Sequence, residues 1–390
     1  MSLLDDIQRY LAGRLPAFLD DLEALVNRDC GTANKPGVDA VGHWVRLRLE
    51  KLAAQVEVRP QAKYGDLLLA CWRGQGVGRV LLSAHLDTVY PAGTAEARPL
   101  TTDRDLVRGP GVCDMKGGLL AGLYAVEALL TLDFTDFGEI GYIFSSEEEV
   151  GSPASRPWLV ELAPRYEAGL VLEPARINGD LVTGRKGGGF FELEIAGRAA
   201  HAGAEPEKGA SAFLELAHQA LALDAINGTI PGATLVIGVA RAGKAANMVP
   251  DDAWASIDCR AVDSDSLAAL DAGVRAATAH RHISGTTTAL RGGPDRPPWP
   301  VTPAGEQLFA LACRIANGLG FDVGAQQSGG TSDANFLFGA GLTCLDGLGP
   351  IGGASHTPDE WLLAPSIVPR TALVAGLIAA LGRGELTQGD

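Results

Sequence analysis

Three stretches of the chain pass from uninterrupted apolar residues straight to side chains that bind protons or metal ions. Val80-Leu81-Leu82 runs into His85 and Asp87 in "VLLSAHLDTVY". "EIGYIF" (Glu139–Phe144) runs into Glu147, Glu148 and Glu149, and "AGLVLE" (Ala168–Glu173) stops on Glu173 before Pro174. Runs this apolar suit strands buried on both faces, as in a parallel sheet covered by helices. "GGLLAGLYAVEALLTL" (Gly117–Leu132) supplies a helix between two of them, and Leu67–Trp72 reads as a further strand. The alternation predicts an α/β domain with a mostly parallel central sheet. In such a sheet the carboxyl ends of the strands converge on one crevice.

After Glu173 the texture changes. "GGFFELEIAGRA" alternates like a half-exposed strand, and "ASAFLELAHQALALDAI" has helical spacing. Two strands, a second helix and a last strand "TTTALRGG" follow. The order β-α-β-β-α-β is the split-βαβ, ferredoxin-like arrangement. We therefore expect an inserted second domain over residues 178–293, with residues 1–177 and 294–390 forming the first. The stiff "PDRPPWP" marks the return, and the closing helices complete the first sheet.

At 390 residues two domains are the natural expectation. A net charge of −15 lacks the basic footprint that nucleic acid or an anionic membrane surface demands, so neither is an expected partner. An acidic protein that handles an acidic small molecule needs local arginines. The N-terminal segment reads as an amphipathic helix interrupted by Pro16 and not as a signal peptide. No apolar run approaches membrane-spanning length. Six scattered cysteines with no CxxC pair suggest reduced thiols in a cytoplasm.

The strand ends have distant company. Asp114 sits in the glycine-flanked turn "RGPGVCDMKGG", and His356 in the glycine-rich "GGASHTPDEW". Taken singly, each has an ordinary explanation: an acidic triplet is usually a solvated turn, and His356 a loop histidine. Jointly, the topology brings His85, Asp114, Glu149 and Glu173 together, and the returning C-terminal portion can add His356. Three carboxylates that close would repel one another unless a cation sat among them. Two imidazoles and three carboxylates suit two Zn2+, with Co2+ or Mn2+ as substitutes. One carboxylate shared between two ions makes a two-metal site that activates water. Asp87 is placed to accept the other ring N–H of His85.

At this point the chain resembles the dinuclear zinc aminoacylases and carboxypeptidases, which include glutamate carboxypeptidase, acetylornithine deacetylase and succinyl-diaminopimelate desuccinylase. "SAHLDTVY", "RGPGVCDMKGG", "SSEEEVGS", "LVLEP", "GRAAHAG", "GGTSDANF" and the His356 loop occur in family order over nearly the whole chain. "HLDTVYPAG", "GGTSDA" and "DRPPW" are nearest to the glutamate carboxypeptidase branch. The resemblance implies that Asp114 bridges two metals, with His85 and Glu173 on one and Glu149 and His356 on the other. It makes Glu148 the general base, with Glu147 standing where many relatives have Asp. It implies a lid domain that mediates a homodimer, and puts His201 of "GRAAHAG" in the active site across that dimer. Asn247, Arg260 and Arg296, with Gly330 and Thr331 of "GGTSDANF", match substrate-binding positions; "TGRKGGGFF" departs locally from the folate-cleaving relative.

The expected function is then a metal-dependent hydrolase. It would cleave the amide of a C-terminal, glutamate-like residue in a peptide or N-acyl amino acid. Two alternatives stand beside it. One is an N-acetyl-amino-acid deacetylase resembling acetylornithine deacetylase. The other, a non-catalytic binding relative, would lack ligands or base that this chain retains.

Overall fold

The computed structural model describes residues 2–386. Among these, residues 2–184, 301–327 and 332–386 form one unit, and residues 185–300 with 328–331 a second. These bounds lie seven residues beyond the 177/178 and 293/294 boundaries expected from texture. After a loop and turn beyond Glu173, strand Leu181–Arg185 pairs with Ala325–Ser328. The proline-rich join belongs to the second unit, where Trp299 and Arg185 exchange backbone hydrogen bonds of 2.8 and 2.9 Å.

The first unit is built on six strands in the order Gln55–Arg59, Leu67–Arg73, Glu139–Ser145, Arg79–His85, Ala168–Val171 and Thr343–Leu345. The last four run parallel, whereas the first two are antiparallel additions to one edge. The short link between Leu67–Arg73 and Arg79–His85, residues 74–78, explains that edge: it is too short to make a parallel crossover. Arg79–His85 is central and buried along nearly its whole length. Its register pairs His85 with Ser145 and Ser83 with Val171, and the Leu172 N–H donates to the Ser83 carbonyl at 3.0 Å. The three strands therefore finish side by side.

Helices Leu3–Val26, Gly118–Thr131 and Ile367–Gly382 pack together on this sheet. Pro16 does not interrupt the first of them, because the buried face from Ile7 to Val26 holds the chain helical on both sides of it. Gly118 lies against the strand leading to Glu173, where any Cβ would overlap the Leu172 carbonyl oxygen. Contrary to the sequence reading, one segment among the described residues, Ala364–Gly382, is long and apolar enough to cross a membrane. Most of it is buried within the protein. It also carries Arg370, which donates to the carbonyls of Gly179 (2.9 Å), Gly349 (3.1 Å) and Gly347. Burial pulls that guanidinium down to about 10. A small antiparallel sheet of Thr101–Asp103, Leu106–Arg108, Trp361–Leu363 and Gly352–Gly353 lies at the same end of the unit.

The second unit has the split-βαβ order: Gly187–Ala196, helix Ala212–Asp224, Thr234–Ala242, Asp252–Ala261, helix Ser264–Ala279 and Thr287–Arg296. Its four strands are antiparallel, with Thr234–Ala242 at one edge. Period-two burial along Asp252–Ala261 puts Ala253, Ala255, Ile257 and Cys259 against the helices. All six cysteines are free.

Candidate metal centre

The first unit brings His85, Asp114, Glu149, Glu173 and His356 into one cluster. His85 Nε2 lies 3.2 Å from Asp114 Oδ1 and 3.8 Å from Glu173 Oε1. His356 Nε2 lies 3.3 Å from Asp114 Oδ2 and 3.2 Å from Glu149 Oε2. The two oxygens of Asp114 thus face different imidazoles, each backed by its own glutamate. Ligand atoms about 2.0–2.2 Å from a tetrahedral zinc are spaced by roughly 3.3 Å, which is the spacing seen here. Donor atoms of His85, Asp114 and Glu149 all lie within 4.8 Å of one another. Glu149 Oε1 is buried and accepts no hydrogen bond from the protein. Such an orphaned anionic oxygen among like charges fits a cation ligand.

The electrostatics agree. Burial opposes protonation of His85, but hydrogen bonds to Asp114 and Asp87 outweigh it and hold the ring well above the usual imidazole range. Hydrogen bonds to Asp114 and Glu149 lift His356 to about 10. Burial would raise Asp114, yet the two imidazoles keep it well below the usual carboxylate range. Glu173 is raised well above normal by burial and then by the Asp114 charge; Glu149 is raised by burial, with Asp114 also contributing. Without a cation protons therefore collect on the two imidazoles, and Glu173 is also biased towards its protonated form. A raised imidazole stabilises the ion-free fold at low pH, and for His356 that contribution is lost as pH rises through about 10.

Local structure explains the placement. Asp87 is buried; its backbone carbonyl lies 3.0 Å and its Oδ1 3.3 Å from His85 Nδ1, and Oδ1 accepts the Glu148 N–H at 3.2 Å. Its Oδ2 accepts from Thr32 Oγ1 at 2.6 Å and from the Glu149 N–H at 3.4 Å. One carboxylate thus orients the first histidine and the backbone of the glutamate pair. Glu148 is buried on a short 3₁₀ turn, and its charge adds to the field at Glu173. His356 takes a left-handed backbone (φ 65°), a conformation histidine tolerates better than most residues.

Sequence reasoning gave three groups no role in supporting this centre. Glu147 is fully buried and accepts from the backbone N–H groups of Ser146, Ala154 and Ser155 and from both serine hydroxyls. It shapes the loop that carries Glu148 and Glu149. Asp333 accepts from the hydroxyls of Ser145 and Ser152. Glu360 reaches the turn that carries Asp114.

The other site residues expected from sequence all belong to the second unit. Arg260 donates to Thr331 Oγ1 at 3.2 Å and pairs with Asp258 at 2.7 Å; Arg296 donates to the same hydroxyl. Arg185 donates to the Gly330 carbonyl at 3.1 Å. His201 is exposed, and its Nδ1 accepts the N–H groups of Gly203 and Ala204 at 3.1 Å, which leaves the proton of the neutral ring on Nε2. The Asn247 carbonyl accepts the Ala202 N–H at 3.0 Å, so Asn247 and His201 occupy adjoining loops.

Comparison with known proteins gives a consistent set of similarities. A profile of peptidase family M20/M25/M40 matches residues 81–380. The chain is 28% identical to carboxypeptidase G2 of Pseudomonas sp. (strain RS-16) over 375 residues, 95% of this chain and 90% of that protein. It is 30% identical to N-acetyl-L-citrulline deacetylase of Xanthomonas campestris over 367 residues, 89% of this chain and 93% of that protein. Among solved structures, a tripeptidase from Staphylococcus aureus superposes with a TM-score of 0.78 at 20% identity, covering 95% of this chain and 99% of that one. A metallo-carboxypeptidase from Sulfolobus solfataricus gives 0.75 at 15% identity over 94% and 99%.

Proposed function

The chain belongs to peptidase family M20/M25/M40 and is a metal-dependent amide hydrolase, and on that premise we propose that it uses two Zn2+ to release a glutamate-like residue from a C-terminal amide. The observation that carries the reading is the division of Asp114 between two imidazoles, one per oxygen. His85 and Glu173 would hold one ion, Glu149 and His356 the other, and Asp114 both. The bound ions would polarise the amide carbonyl and make water acidic enough to attack it. Glu148, buried and attached to Asp87 through its backbone, accepts the proton of the attacking water and returns it to the leaving amine. Asp87 keeps His85 in the tautomer that presents Nε2 to the cluster.

Arg260 and Arg296, which meet at Thr331, supply the guanidinium groups that an acidic protein needs to hold a substrate carboxylate. Gly330 and Asn247 complete the substrate-binding set. Arg260→Ala is expected to raise KM for an N-acyl glutamate by roughly ten- to a hundredfold, the worth of a charge-assisted hydrogen bond, with less effect on kcat. The test is a steady-state series on zinc-loaded enzyme with N-acyl glutamates, glutamate-terminated peptides and folate-like conjugates, each also as its α-amide. Equal turnover of acid and amide would remove the arginines from the account. The second reading, deacylation of N-acetyl amino acids, is favoured by the 30% identity to the citrulline deacetylase. Turnover of N-acetyl amino acids and no peptides or conjugates would select it.

A homodimer through the second unit is part of the proposal. Helix Ala212–Asp224 exposes Phe213, Leu214 and Leu221, and the adjacent edge strand Thr234–Ala242 exposes Val236 and Val239. An unpaired edge beside an apolar helix face is a surface that a second copy would cover. His201 would then act across the dimer, its Nε2–H stabilising the developing oxyanion. Mixed and reassociated, inactive His201→Ala and Glu148→Gln proteins should recover about a quarter of wild-type activity, one intact site in each mixed dimer. Recovery of none would place His201 within its own chain's site or outside catalysis. Six free thiols fit a reducing compartment such as the cytoplasm.

A further inference from the structure

The turn that carries Asp114 cannot hold itself. Asp114 and Met115 leave helical geometry (φ −114°, ψ 94° and φ −131°, ψ 38°) inside the segment Val112–Gly117. Several backbone N–H groups at its start therefore lack intrahelical acceptors. One buried carboxylate supplies them. Glu360 Oε1 accepts the N–H of Cys113 and of Asp114, each at 2.9 Å. Its Oε2 accepts the N–H of Gly111 at 2.9 Å and the Tyr90 hydroxyl at 2.7 Å. The side chain is 1% exposed. Trp361, the next residue, is registered with Arg108 in the small sheet, which fixes Glu360 over the turn.

The segments joined here are the ones that bring three of the clustered side chains. Tyr90 lies on the exit from the His85 strand, Gly111–Asp114 is the turn of the shared carboxylate, and Glu360 is four residues beyond His356. The Tyr90 hydroxyl also lies 2.8 Å from the Thr357 carbonyl, beside His356. We propose that Glu360 is a positioning residue for the metal centre: it holds the Asp114 backbone so that Oδ1 and Oδ2 face opposite imidazoles, and so sets metal affinity without touching an ion. The proposal rests on the two-metal reading above. Charge-assisted acceptance of backbone N–H groups is strong and directional, and loss of such a supporting contact typically costs 10–100-fold in metal affinity.

Glu360→Gln keeps the volume but replaces one acceptor oxygen with an NH2 group. Whichever way the amide turns, a donor then meets a donor. Zinc dissociation constants from equilibrium dialysis against a competing chelator, and the visible spectrum of the Co2+ form, provide the readouts. We expect roughly 10–100-fold weaker zinc binding and altered Co2+ bands, with the circular dichroism of the metal-free protein unchanged. Glu360→Asp, one methylene short of spanning both pairs, should fall between the two, and it carries the test if the glutamine variant does not fold. Tyr90→Phe retains all three backbone contacts and should stay within about threefold of wild type, well short of that range. Wild-type zinc affinity in a folded Glu360→Gln, or in Glu360→Asp where it is the variant that folds, overturns the proposal. So does a loss in Tyr90→Phe as large as that in Glu360→Gln. In both cases the wild type still binds two ions and the functional reading stands. A wild type that binds none overturns both.

Discussion

Glu148→Gln is expected to lower turnover by roughly 10²–10⁴-fold, the range for a lost general base, while the zinc content stays as in wild type. Glutamine keeps the size and polarity of the side chain and the backbone link to Asp87, so the neighbouring Glu149 should hold its place. What it loses is the ability to take a proton. Glu148 and Glu149 are adjacent in sequence, yet they are held differently: His356 Nε2 lies 3.2 Å from Glu149 Oε2, while the Glu148 backbone N–H is tied to Asp87 Oδ1 at 3.2 Å. Substitution of Glu149 should remove metal and activity together, and substitution of Glu148 activity alone. Stopped assays with metal analysis of the same preparation decide it. A Glu148→Gln enzyme with wild-type turnover would end the assignment.

The second large effect concerns Asp114. Asp114→Ala removes the carboxylate whose two oxygens contact the two imidazoles, so both ions should be lost together and activity should fall to background. Added zinc should restore little. The same substitution at Glu173 or Glu149 removes one oxygen donor from one side and should leave a site that excess zinc partly refills. That contrast follows from geometry: His85 reaches Asp114 at 3.2 Å and Glu173 at 3.8 Å, and only Asp114 also reaches His356. Metal titration of the three variants at one zinc concentration separates them. Equal retention across all three would remove the shared role of Asp114.

Much of this centre could be read from sequence because two regularities reinforce each other. Strands buried on both faces are recognisable as apolar runs, and parallel strands deliver their carboxyl ends to one place. His85, Glu149 and Glu173 were legible for that reason, and Asp114 and His356 through their glycine-rich turns. The split-βαβ unit was legible because its strands alternate and its helices keep their period.

The remainder depends on long-range contacts that no local pattern encodes. Residues Gln55–Arg59 and Leu67–Arg73 join the sheet antiparallel because the link to Arg79 is too short to cross over. Pro16 sits inside a continuous helix because packing outweighs the lost hydrogen bond. The membrane-length segment Ala364–Gly382 is largely apolar because most of it is buried within the protein. Glu147 stood in an acidic triplet of the kind usually solvated and Glu360 carried no sequence signal; only the fold shows that each accepts the N–H groups of a turn.

The most direct test of the central claim is zinc per chain, measured by atomic emission on protein prepared without chelators. The wild type should carry two equivalents and Asp114→Ala essentially none. A single equivalent in the wild type, or two retained by Asp114→Ala, would contradict a centre built on one carboxylate shared between two ions.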